Sequence, residues 1–156
     1  MLVDARPERS APLPGGGAQL QVRWAVLAAV AGGLCAYVAF PRMGVWPLEI
    51  LAVALFSVAV DGRRSRTGAW LGLLFGCAFF LPLLRWTGVY VGALPWLMLA
   101  ASQAAFCAAL GAVLPVVQRR RGAPAWIASA WVLEEALRDR VPFGGFPWGR
   151  LAFSQA

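Results

Sequence analysis

Along this chain, apolar residues do not alternate with polar ones. They fall into five blocks, at residues 24–40, 47–60, 69–84, 95–117 and 124–137, separated by short segments rich in Arg, Gly, Pro and Trp. A block apolar on every face, without the polar stripe of an amphipathic surface helix, belongs in lipid. The intervening segments carry helix breakers: Pro41 with Gly44, Gly62 with Gly68, Gly92 with Pro95, and Gly122 with Pro124. Pro47 suits the first position of the second helix, and Glu49 stands near that helix's positive end. The pattern predicts an all-α, polytopic transmembrane helix bundle of about five spans. At about 1.5 Å per residue the second block is short for a bilayer core of about 30 Å, which leaves a re-entrant hairpin as the alternative to a full span.

Charge favours the full span. With the N-terminus in the cytoplasm and five spans, the N-terminal tail and the 61–68 and 118–123 loops fall inside and carry nine Arg; the other side receives five. That is the positive-inside arrangement. A re-entrant second helix would put the two strongest Arg clusters on opposite sides. The expected organisation is therefore a disordered cytoplasmic tail at 1–21, a transmembrane helix bundle at 22–138, and an extracytoplasmic interfacial loop at 139–156. The tail holds Pro, Gly and charge without apolar periodicity.

Composition agrees with the pattern. The 156 residues are 60% hydrophobic and 13% charged, against about 25% charged in a soluble domain. The net charge of +7 lies in short clusters between apolar runs, so it reads as an orientation signal and nucleic-acid binding is not expected. There is no His, which removes His catalysis and His metal ligation, and all fourteen basic residues are Arg. Cys35, Cys77 and Cys107 lie inside apolar runs with no CxxC spacing, and behave as small hydrophobes. Leu34-Cys35 lacks the small-residue pattern of a lipoprotein cleavage site, and the later apolar blocks argue against a cleavable signal peptide.

Candidate chemistry gathers at the end of the chain. Glu134 and Glu135 sit in the last turns of the fifth helix; Arg138 follows at i,i+4 from the first and i,i+3 from the second. A pair that fixes the helix end, acid–base work, and contact with a polar lipid headgroup are the three roles open to them. The turn at 143–149, Phe-Gly-Gly-Phe-Pro-Trp-Gly, cannot be regular helix. Gly144, Gly145 and Gly149 permit positive φ, Pro147 fixes φ, and Phe146 and Trp148 suit headgroup depth. It is either an interfacial anchor or the border of a site where lipid tails meet water. Arg85, near Trp86 and Tyr90, either holds a phosphate on that face or snorkels from a helix end. In the third block, Gly72 and Gly76 form a small-xxx-small face for close helix approach. No P-loop, nucleophile elbow, HExxH or Cys/His metal spacing occurs, so neither a cofactor nor a metal is expected.

The string Trp-Val-Leu-Glu-Glu-Ala-Leu-Arg at 131–138, then Gly-Phe-Pro-Trp at 145–148 and Phe-Ser-Gln at 153–155, resembles apolipoprotein N-acyltransferase. Phe40-Pro41, Trp46-Pro47, the Phe-rich third block and Arg85-Trp86 with Tyr90 agree in order. The resemblance implies a bacterial inner-membrane enzyme in two parts, a membrane bundle and an extracytoplasmic nitrilase-type domain with a Glu–Lys–Cys triad. It implies a membrane phospholipid as acyl donor, a Cys thioester intermediate, and the α-amino group of a diacylglyceryl apolipoprotein as acceptor. With no Lys present and each Cys inside a span, the triad is not in these residues. By the same resemblance Glu135, Arg138, Phe146, Pro147 and Trp148 take structural or lipid-access roles, and the 156 residues alone are expected to be inactive.

Two other readings compete. One is a non-catalytic membrane anchor or partner of a polyprenol-phosphate mannose synthase. The other is a small transporter coupled through Glu134 or Glu135. Both acids lie at a span's end and there is no internal repeat, which counts against the transporter.

Overall fold

The computed structural model describes residues 20–40, 43–141 and 144–152. Most of the tail expected at 1–21, Arg42, Phe143 and the 153–155 motif therefore lie outside the described residues. The described residues form the helices α1 Val22–Ala39, α2 Pro47–Val60, α3 Ser65–Leu83, α4 Arg85–Val91, α5 Ala93–Val117 and α6 Ala123–Arg138, joined by short turns. The block boundaries read from hydropathy differ from these by a few residues at most. The exception is 85–92, expected as an interfacial segment, where a short helix forms.

Three helices, α1, α3 and α5, are long and apolar enough to cross a membrane; α2, with 14 residues, is a shorter apolar helix. The chain is thus an all-α, polytopic membrane helix bundle. Its outward surface is apolar, with Ile50, Trp70, Met98, Val132 and Leu133 all exposed. Six of the eight Trp are exposed towards the bundle's two ends, three at each: Trp24, Trp70 and Trp126 at one, Trp46, Trp86 and Trp148 at the other. Two interfacial belts of this kind are what a bilayer selects.

Helix α3 is the centre of the packing and meets both α1 and α5. Its contact with α5 is backbone to backbone. A Cβ on Gly72 would stand 2.1 Å from the Cys107 carbonyl oxygen, and one on Gly76 would stand 2.7 Å from the Ala104 Cα. Lipid offers no hydrophobic drive for helix association, so such close van der Waals approach is what holds the pair together. The small-residue face expected at Gly72 and Gly76 extends one turn further, to Gly68 against Gly111. Inside the bundle, Phe56 stacks on Phe75 at 4.6 Å, and Trp131 meets each ring edge-on at 6.0 Å.

The break between α3 and α4 prepares the site. Pro82 lies in the last turn of α3, Leu84 leaves helical geometry, and the freed Leu81 carbonyl accepts from the Trp96 indole at 3.1 Å. The chain then runs as α4, bringing Arg85 and Trp86 to the end of the bundle where α6 finishes.

Candidate functional site

The last turn of α6 places Glu134, Glu135 and Arg138 on the inward face, as their helical spacing requires. Arg138 is 2% exposed, so its charge has left solvent and needs partners. Nε lies 3.3 Å from Glu134 Oε1, and Nη2 lies 4.0 Å from Glu135 Oε1. Nη1 donates to the Trp148 carbonyl at 2.8 Å and Nη2 donates to the Gly149 carbonyl at 3.0 Å. Beneath it, the guanidinium carbon stands 5.2 Å from the Phe80 ring centroid.

These contacts tie a loop to a helix end. The Arg138 carbonyl accepts from Phe146 N at 3.0 Å, and Glu135 Oε1 accepts from Leu151 N at 2.8 Å. Arg150 pairs with Asp139. Both limbs of the 144–151 segment are therefore bound to one helical turn. The three loop glycines take φ of 95°, 81° and 84° at Gly144, Gly145 and Gly149. Gly149 is doubly constrained: a Cβ there would stand 2.7 Å from Phe80 Cε1 and 3.3 Å from Arg138 Nη1.

The clamp aims Trp148. Its ring, half exposed, lies 5.9 Å from the Trp86 ring. Together with Tyr37, Phe40, Leu83 and Arg85 these rings border a groove of about 630 Å³. Aromatic walls with one cation at the rim can take an acyl chain and an anionic headgroup. Phe146 is half-buried against the core and Pro147 is exposed at the loop's outer edge. Tyr90 does not join the groove; with Trp86, Val91 and Leu99 it lines a separate hollow of about 310 Å³. Cys35, Cys77 and Cys107 are free thiols, and none lines these cavities.

Residues 32–156 match the apolipoprotein N-acyltransferase N-terminal domain family. The chain belongs to that family. Proteins named apolipoprotein N-acyltransferase are similar to it along much of its length. That of Mycolicibacterium smegmatis is 41% identical over 104 residues, covering 65% of this chain and 18% of the relative. That of Nitrosomonas europaea is 31% identical over 147 residues, covering 84% and 29%. For that of Geobacter metallireducens the figures are 30% over 140 residues, 83% and 27%. The chain therefore spans less than a third of the length of these relatives.

Sequence reasoning named seven residues that the structure gathers here: Glu134, Glu135, Arg138, Phe146, Trp148, Arg85 and Trp86. It missed Tyr37, Phe40, Leu83 and Phe80, because nothing in an apolar run distinguishes a groove wall from a lipid-facing side chain. It also read Glu49 only as a helix-end charge. Glu49 is in fact buried, with no hydrogen-bond partner at either oxygen, beside a second groove of about 560 Å³ with Ile50, Val53 and Leu151.

Proposed function

We propose that this chain is the membrane part of an apolipoprotein N-acyltransferase of the bacterial inner membrane. Its N-terminus is cytoplasmic, the five longer helices each span, and the 139–156 segment faces outward. The whole protein moves an acyl chain from a phospholipid to the α-amino group of a lipoprotein's diacylglyceryl-cysteine. A thiolate in a nitrilase-type domain outside these 156 residues attacks the phospholipid ester and holds the chain as a thioester. The lysophospholipid leaves with a proton. The lipoprotein amine then attacks the thioester, forms the amide and returns the thiol.

The observation that carries this reading is the Arg138 clamp on the Trp148 and Gly149 carbonyls, which sets Trp148 opposite Trp86 over an aromatic groove. Glu135 and Arg138 act as positioning residues. Phe146, Pro147, Trp148, Arg85 and Trp86 border the lipid's path, and Tyr90 anchors the adjoining face. Replacing Trp148 by Ala in the full-length protein should slow single-turnover N-acylation of a lipoprotein by roughly tenfold to a hundredfold, the cost of a misplaced substrate. An unchanged rate would remove the groove from the substrate's path.

A further inference from the structure

At the end of the bundle away from Arg138, two loops far apart in sequence meet. The 61–64 loop precedes α3 and the 118–122 loop follows α5. They are brought together by the α3–α5 backbone contact at Gly68 and Gly111, and by Gln118 Nε2, which donates to the Ser57 carbonyl at 2.8 Å. Six arginines lie on or beside these loops, and the structure divides them. Arg63 is committed: its Nε donates to the Ala59 carbonyl and its Nη2 to the Leu20 carbonyl, each at 2.7 Å, closing the end of α2 on the entry to α1. Arg64, Arg66, Arg119, Arg120 and Arg121 are exposed and, among the described residues, form no ion pair or side-chain hydrogen bond. Asp61 is the one acidic residue between Glu49 and Glu134.

We propose that these five arginines form a binding site for the headgroup of an anionic phospholipid. Depth selects lipid as the occupant. Trp70 and Trp126 are exposed on the helix turns just inside the cluster, and Val113 and Val116 are exposed on α5 beneath it. The guanidinium groups therefore stand at the level where phosphates begin, directly above hydrocarbon-facing surface. Their planar forks match phosphate oxygens in pairs, which a diffuse positive field does not require. Orientation during insertion needs only the number of charges in a loop. A headgroup site needs both loops of the folded bundle at once. The site lies at the opposite end from the acyl groove, and it stands independently of the proposed transfer reaction.

The test uses the intact protein in phosphatidylcholine vesicles containing increasing phosphatidylglycerol with brominated acyl chains. Tryptophan quenching reads the affinity of one lipid relative to the other, and because both leaflets have the same composition the orientation of insertion is immaterial. Each arginine near an anionic surface is worth about fivefold, so a wild-type preference of about tenfold or more for phosphatidylglycerol is expected even after competition and entropy losses. R64Q/R66Q/R119Q/R120Q/R121Q should bring the preference close to one. Changing the same five residues to Lys should retain only part of it. Raising salt on the unaltered protein should shrink the preference, a readout that needs no variant to fold. A wild type without preference, a five-Gln protein that keeps it, or a preference indifferent to salt would each overturn the site.

Discussion

The two ends of the bundle handle charge in opposite ways. Where α2 turns into α3 and α5 into α6, five of the arginines are exposed and have no ion-pair partner among the described residues. Where α6 ends, Arg138 is buried, donates to two carbonyls and forms an ion pair with Glu134, with a second glutamate nearby. Both ends are strongly charged; at the first only Arg63 is committed to structure, while at the second the buried charge holds a whole loop in place. A guanidinium in water loses little if it moves, whereas a guanidinium under a loop needs fixed partners in place of water. The buried end therefore has one geometry and positions Trp148; the exposed end has many and suits a mobile headgroup.

The sharpest way to break this comparison is to remove the buried charge. Arg138→Met leaves Glu134 without its cation and frees the Trp148 and Gly149 carbonyls, a loss of about 3–5 kcal/mol by analogy with broken buried pairs. The expected result is a large fall in the denaturation midpoint in detergent, with new protease cleavage within 144–152. Arg138→Lys should restore little, because one ammonium cannot reproduce the fork that spans two successive carbonyls. A Lys variant as stable as wild type would reduce the clamp to simple charge.

Gly149→Ala probes the same clamp from the loop side. The substitution meets a φ of 84° and places a methyl against Phe80 and Arg138. Strain of about 1–3 kcal/mol is expected, and the Trp86–Trp148 contact should loosen with it, read as a shift in tryptophan emission. Stability and emission both unchanged would show that the loop has room the structure does not give it.

What the sequence could reveal about these two ends followed the range of the interactions. Helical periodicity alone relates Glu134, Glu135 and Arg138, and small-residue spacing alone announces the face at Gly72 and Gly76. The acceptors of Arg138 are main-chain carbonyls, and a carbonyl has no letter in a sequence. Phe80 lies 58 positions from the guanidinium above it and reads like every other Phe in its run. Arg63 reads like Arg64 and Arg66, yet tertiary contacts make the first structural and leave the others exposed. Trp131 stood out as the start of a motif, and the structure puts it in the aromatic core instead.

The smallest expected effect comes from the residue that fits neither pattern. Glu49 is buried like Arg138, yet neither of its oxygens has a hydrogen-bond partner among the described residues. Its place in the first turn of α2 offers about 0.3–1 kcal/mol through the helix dipole, while leaving a buried acceptor unsatisfied costs about 1–3 kcal/mol. The second quantity is the larger, so Glu49→Met, which keeps the length of the side chain, should raise stability by about 1 kcal/mol and move the detergent denaturation midpoint upward. A lowered midpoint would mean that Glu49 is matched in the folded protein after all, and that burial of charge at this end always comes with a partner.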